Sequence, residues 1–282
     1  MSVTNTVAPA PADIAPRDLI VTLYGLYARS EDNWLPVSGL IRLMQELGVD
    51  GQSVRSSVSR LKRRDILHGL RHGGVAGYEL SSSTLDALAE GDVRIFDRRR
   101  ARLEDGWLLL VFSIPENERD KRHTLRTSLS SLGFGTVSPG TWIAPSQLAD
   151  ETLSMLRRKG LADYVELFRA DHLGVKELRT RVPRWWDLDA VAAAYADFIR
   201  RHRPLVDATI TDPTEAFVAY VPMLTAWRRL PYLDPGLPLE VLPRGWNGEV
   251  AEQMFADLNA RLGGPAREFA MDVLHAGAVG RR

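Results

Sequence analysis

Gly51-Gln-Ser-Val-Arg-Ser-Ser-Val-Ser-Arg-Leu-Lys-Arg-Arg64 is the stretch that decides how this chain is read. Val54, Val58 and Leu61 fall at i, i+4 and i+7, so they share one face of a helix. At about 100° per residue, Gln52, Ser56, Ser59 and Arg63 point the opposite way, with Arg55 and Arg60 at their flanks. A short helix with a dry back and a front of Ser, Gln and Arg suits the DNA major groove. There Arg grips guanine bidentately, Gln pairs with adenine, and Ser reaches bases or phosphates.

The flanking residues extend this reading. Upstream, Pro36 opens a helix whose Leu40, Leu43, Met44 and Leu47 match the amphipathic template. Gly48 is placed to end it, and Asp50 to cap the helix that follows. A turn of three to four residues between two short helices is the helix-turn-helix connection. Further upstream, Pro16 starts a helix with Leu19, Ile20, Leu23, Tyr24, Leu26 and Tyr27 on a broad apolar face, interrupted by Ser30 to Asn33. Downstream, Ile66 and Leu67, His68 to His72, Gly73-Gly74 and Val75 to Leu80 read as a hairpin with Arg71 and His72 near its tip. A hairpin directly after a recognition helix is a wing. Ser83 to Asp86 resembles a capping box and opens a helix running towards Asp97-Arg-Arg-Arg100. The run Arg98 to Arg102 reads either as a solvated linker or as a phosphate clamp.

Length and composition set bounds. At 282 residues, two or three domains are expected, and 45% hydrophobic content supplies their cores. The formal net charge is zero, which excludes a polybasic nucleic-acid coat but leaves room for a local basic face. There is no cysteine, which excludes disulfides, thiol catalysis and thiolate metal sites. Met1 to Ala15 is small, polar and Pro-rich and reads as a disordered arm, not a signal peptide. The densest apolar run, Leu108 to Phe112, is far too short to span a bilayer. The expectation is a soluble, cytoplasmic protein with no membrane partner.

In the middle, Trp107-Leu-Leu-Leu-Val-Phe112 suits a strand buried on both faces, stopped by Pro115. A helix follows from Asn117 or Glu118, with Leu125, Leu129 and Leu132 inward and Gly133 closing it. Phe134 to Val137 and Thr141 to Ala144 read as strands around Ser138-Pro-Gly140. Gln147 to Lys159 reads as a helix and Tyr164 to Phe168 as a last strand. The order β-α-β-β-α-β is the ferredoxin-like arrangement. From Val175 the pattern is helical with Pro breaks. Leu188 to Ile199, Phe217 to Trp227 and Val250 to Leu262 carry the apolar faces.

Nothing in the chain matches a chemistry motif: no GxGxxG, no Walker loop, no His-Glu-x-x-His, and six scattered His. A metal nuclease needs carboxylates clustered at strand ends, yet the first strand ends Phe112-Ser-Ile-Pro115. Glu116, Glu118 and Asp120 look like first-turn helix charges. The chain is therefore expected not to be an enzyme and to need no cofactor. Two other classes stay open: a nuclease with a DNA-binding appendage, and an RNA-binding adaptor built on the ferredoxin-like sheet. Four of the seven Trp lie between Trp185 and Trp246, beside Arg184, Arg228, Arg229 and Arg244. Apolar walls with a few placed charges suit an anionic, partly aromatic ligand.

Four stretches resemble the PaaX family of bacterial phenylacetic acid degradation repressors. They are Val54 to Leu61 with Ile66-Leu67 and Gly77-Tyr78; Trp107 to Phe112 with Leu132 to Gly135 and Trp142 to Pro145; Trp186 to Tyr195 with Phe198 and Pro204-Leu205; and Trp227 to Pro231, Asp234-Pro235, Leu237-Pro238, Leu242-Pro243 and Trp246. The resemblance spans roughly Arg17 to Arg261. It implies a winged helix-turn-helix repressor of a catabolic operon, working as a homodimer on a partly palindromic operator and released by phenylacetyl-CoA or another acyl-CoA; an acyl-CoA-handling enzyme with a DNA-binding appendage is the alternative beside it. One departure is an unusually Ser-rich face on the recognition helix: Ser53, Ser56, Ser57 and Ser59.

The expected fold class is α+β. Residues 1–15 form an arm, 16–82 a winged helix-turn-helix domain, 83–104 a linker helix, 105–172 a ferredoxin-like dimerisation domain, 173–276 a mainly helical effector-binding domain, and 277–282 a loose tail. The residues expected at double-stranded operator DNA are Gln52, Ser53, Arg55, Ser56, Ser59, Arg60, Arg63, Arg64, Arg71 and His72. Those expected at an acyl-CoA effector are Trp142, Arg184, Trp185, Trp186, Arg228 and Arg229.

Overall fold

Asp50 begins the helix on which the sequence reading rests. In the computed structural model, its Oδ1 accepts the backbone N–H groups of Gln52 and Ser53 at 2.8 and 2.9 Å. These are two of the donors that every helix start leaves orphaned. Residues 14–174 and 177–276 are described; the expected arm, up to residue 13, and the expected tail lie outside them. The described chain is α+β, with two antiparallel sheets. It divides into two compact units. One comprises Met1–Val93, Asp197–Arg228 and Val250–Arg282; the other comprises Arg94–Ala196 and Arg229–Glu249.

The first unit opens with α1 (Pro16–Tyr27), the short strand β1 (Trp34–Pro36) and α2 (Val37–Glu46). Gly48, at φ +74°, turns the chain after α2, and Asp50 then starts α3 (Gly51–Arg63). The strands β2 (Leu67–His72) and β3 (Val75–Leu80) pair in register around Gly73 and Gly74. Both glycines have positive φ, which suits the twist of a two-residue hairpin turn. β1 joins the other edge of β3, giving the order β1-β3-β2. The helix α4 (Ser82–Phe96) is capped by Ser81, whose Oγ accepts Thr84 N–H at 3.3 Å. The cap thus falls two residues before the Ser83 expected from sequence, because Ser81 also supplies the first helical carbonyl, to Leu85 N–H.

The rest of this unit's interior comes from far along the chain. α9 (Pro213–Trp227) lies on α1, where Thr225 bonds Thr22 at 2.8 Å and Tyr27 meets Phe217 at 6.3 Å. The last helix, α11 (Gly248–His275), supplies Phe255 to stack on Trp227 at 4.5 Å, Phe269 to Phe217, and Leu274 against Gly39. It passes straight through Gly263-Gly-Pro265, where the sequence pattern stops. Buried Ala266, Ala270, Val273 and Leu274 hold the last turns in place despite the missing Pro N–H.

The second unit is built on β4 (Trp107–Phe112), α5 (Arg119–Leu132), β5 (Gly135–Ser138), β6 (Thr141–Pro145), α6 (Ala149–Arg158) and β7 (Val165–Ala170). The strand order is β5-β6-β4-β7, antiparallel throughout. Leu108, Leu110, Trp142 and Ala144 pack with Leu125, Leu129 and Leu156 of the two helices. Strand alternation puts Trp107, Leu109 and Val111 on the other face. Trp186 covers one end of that face, following α7 (Val182–Trp185) and preceding α8 (Leu188–Asp207). Its indole N–H donates to Gly133 O at 2.8 Å, and it lies so close over Gly135 that a Cβ there would come within 2.6 Å.

After α10 (Leu230–Leu233), Asp234 is 1% exposed and surrounded by donors. Arg98 reaches Oδ1 at 2.8 Å, Arg100 reaches Oδ2 at 3.4 Å, Tyr195 OH donates at 3.0 Å and Gly236 N–H at 2.8 Å. Two of the four arginines in the Arg98 to Arg102 run depart from both readings, while Arg99 and Arg102 are exposed. Arg98 and Arg100 are neither a solvated linker nor a clamp for an outside phosphate, because a buried carboxylate from the same chain takes them.

Candidate nucleic-acid interface

α3 has the moment its sequence implies. Val54, Val58 and Leu61 are buried, while Gln52, Arg55, Ser56, Ser59, Arg60, Arg63 and Arg64 are exposed. Ser57 corrects the Ser-rich face: it is 3% exposed and lies with Val54 and Leu61, three and four residues away on the dry side. Ser53 is also partly withdrawn, since its Oγ donates to Asp50 Oδ2 at 2.6 Å. That hydroxyl is the first cause, with the Ser53 and Gln52 amides behind it, that holds the Asp50 carboxyl below its ordinary range. The exposed serine front is thus Ser56 and Ser59. Arg60 bends over it, with Nη2 donating to Ser56 Oγ at 2.9 Å.

The hairpin brings Arg71 beside α3 and meets Lys62 of that helix. Arg71 donates to Gly74 O at 2.9 Å across the turn and stays exposed. Lys62 places its ammonium 5.7 Å from the centre of the Tyr78 ring and next to Gly69. In the sequence Lys62 is only one of the basic residues that end the Gly51 to Arg64 stretch. Its four- and three-residue spacing from Val58 and Ser59 carried no hint of a hairpin partner. Trp34 was missed altogether: its indole stacks on His72, with centroids 4.9 Å apart and planes 17° apart. In all, Arg55, Arg60, Lys62, Arg63, Arg64 and Arg71 are exposed cations on one helix and its adjoining hairpin. Such a surface offers charge and bidentate donors to a phosphate backbone and to base edges.

Of the residues expected at an effector, Trp142 and Trp186 lie on opposite faces of the second unit's sheet. Trp142 is buried in the core between the sheet and α5 and α6, and its Nε1 has no hydrogen-bond partner. Trp185 and Trp186 meet edge to face at 6.1 Å, with Trp186 on the opposite side of the sheet from Trp142. Arg184 is exposed beside them. Arg229 belongs to the same unit, and Arg228 to the other, where it donates to Asp18 O at 3.1 Å. Among the described residues, no His, Asp and Glu cluster as a metal site would require, and no helix is long and apolar enough to cross a membrane.

An amino-terminal helical part, a central four-stranded sheet and carboxy-terminal helices match, in that order, the three parts of one protein family. The matches are to a PaaX-like protein over residues 15–84, the central Cas2-like domain of PaaX protein over 100–182, and the C-terminal domain of PaaX-like proteins over 186–272. The chain belongs to the PaaX family. It is similar to the transcriptional repressor PaaX of Escherichia coli (strain K12), with 31% identity over 267 residues that make up 90% of this chain and 82% of that protein. Among solved structures, its fold is similar to that of an uncharacterized protein from Mycobacterium tuberculosis. The identity is 23%, the TM-score 0.57, and the match covers 89% of this chain and 97% of that one.

Proposed function

We propose that this chain is a DNA-binding transcriptional repressor of a catabolic operon. In this reading α2, α3 and the β2–β3 hairpin form a winged helix-turn-helix, and the β-α-β-β-α-β unit is ferredoxin-like. The observation that carries the reading is the exposed Gln52, Ser56, Ser59 and Arg63 line on α3, flanked by exposed arginines and backed by a buried apolar face. Gln52, Ser56, Ser59 and Arg63 read or border base edges. Arg55, Arg60, Arg64 and Arg71 hold phosphates, which position the helix without specifying sequence. The similarity to a protein named as a transcriptional repressor supports the same reading.

A homodimer places two α3 helices about one helical turn apart on the operator. Release follows from an acyl-CoA thioester, phenylacetyl-CoA in the first instance, that binds a conformation with the wrong half-site spacing more tightly. The protein acts in the cytoplasm, without a cofactor and without catalysis of its own. Arg60→Ala tests the interface. It weakens binding to duplex DNA and lowers the slope of log affinity against log salt by about one. An unchanged affinity and slope would remove α3 from the interface. A thermal shift across a panel of acyl-CoAs tests the effector, since a ligand selective for the native state raises stability.

A further inference from the structure

The hairpin after α3 buries little. Only Leu67, Gly77 and Leu80 are buried along its two strands. Its turn is two left-handed glycines, and a two-stranded ribbon is marginally stable in isolation. Its direction therefore needs a support that the core does not give.

Strand alternation sorts its side chains. Tyr78, Gly69 and Arg71 share one face, the face on which Lys62 of α3 lies. Leu70, His72, Gly77 and Glu79 share the other. Trp34 pairs with Glu79 and projects on that second face. Its indole crosses Gly77, where a Cβ would come within 2.1 Å of the ring. Its Nε1–H donates to Leu70 O at 3.2 Å, and its ring stacks on His72. One side chain from the edge strand thus touches the central strand, the far strand and the tip.

We infer that Trp34 is the positioning residue of the wing. Gripping His72 across Gly77, it braces the hairpin from the face away from α3, so that Arg71, on the α3 face, meets the DNA backbone. His72 then acts through Trp34 and makes no phosphate contact of its own. This rests on the DNA-binding reading and adds a division of labour within the wing.

The test is binding of the full chain to a short random-sequence duplex, followed by fluorescence anisotropy over a salt series, because phosphate contacts are largely independent of sequence. Trp34→Ala, His72→Ala and Arg71→Ala are each expected to weaken binding several-fold and to flatten the salt slope. Trp34→Ala combined with Arg71→Ala is expected to lose no more than either alone, and so is His72→Ala with Arg71→Ala, because each pair acts as one unit. Trp34→Phe keeps the stack and is expected to recover most of the slope. Losses that add in the His72→Ala and Arg71→Ala pair overturn the inference, as does a Trp34→Ala slope equal to wild type. If Trp34→Ala does not fold, Trp34→Phe and the surface change His72→Ala carry the same comparison. A wild-type chain that binds no duplex at low salt overturns the DNA reading itself, an outcome distinct from these.

Discussion

Arg98 and Asp234 stand 136 residues apart in the sequence, yet Arg98 donates to the Asp234 backbone carbonyl at 2.7 Å and to its carboxylate at 2.8 Å. Burial pushes the Asp234 carboxyl up; Arg98, Arg100, the Gly236 amide and Tyr195 together outweigh it and hold the group below its ordinary range. Asp234→Ala leaves two arginines turned inward without their anion. It is expected to cost about 3–5 kcal/mol, read by urea unfolding of the full chain. The sign with pH follows from the lowered value. The contribution is fully present above the ordinary carboxylate range and is lost as pH falls through the folded-state value. Asp234→Asn should flatten that acid limb; an acid limb identical to wild type would exclude Asp234 as its source.

His202 carries a second pH dependence. It is 2% exposed, and its Nδ1–H donates to Phe198 O at 2.8 Å. Burial lowers its pKa most; Arg201 also lowers it, while the Phe198 carbonyl and Asp197 raise it, and the net shift is downward. The folded state therefore resists the proton that the unfolded chain accepts. Stability is present above the ordinary histidine range and declines as pH falls through that range towards the folded-state value. Melting temperatures at neutral and mildly acidic pH should converge in His202→Gln relative to wild type.

Gly135 and Trp186 give a steric prediction. Gly135→Ala drives a methyl into the indole, since the nearest ring atom is 2.6 Å from the ideal Cβ. Overpacking of this kind is expected to destabilise by about 1–3 kcal/mol. Trp fluorescence should shift as the indole is displaced. An unperturbed spectrum with unchanged stability would mean that Trp186 does not lie over Gly135.

Ser57 and Ser59 separate the two sides of α3. Ser57→Lys forces a charge into a packed face and should unfold the amino-terminal helices in circular dichroism. Ser59→Lys adds a cation to an exposed front and should leave the melt unchanged while tightening binding to random-sequence duplex.

Local signals were legible where they act over a few residues. Asp50 before α3, Gly48 after α2 and the Gly73-Gly74 turn all read correctly, because caps and turns are set by adjacent backbone groups. Trp107 likewise proved buried, as an apolar strand run implies, whereas Trp142, expected at an effector, packs in the core. Ser57 was misread because polarity was given priority over its angular position beside Val54 and Leu61. The continuation of α11 beyond Leu262 rests on tertiary packing of Phe269 and Leu274, which no local pattern encodes. Asp234 and Trp34 were invisible for the same reason. Their partners are set by the fold, at a sequence distance of 136 residues for Arg98 and through a missing side chain at Gly77 for Trp34.

The first unit takes its interior from both ends of the described chain. Thr22 is matched by Thr225, Tyr27 by Phe217, and Gly39 by Leu274. A ribosome releases α1 and α2 well before α9 and α11, so the emerging helices lack those packing partners until α11 has left it. A nascent or truncated chain thus holds the α3 sequence without the assembled unit around it. A chain that stops before α11 would leave Phe217 without Phe269 and Gly39 without Leu274.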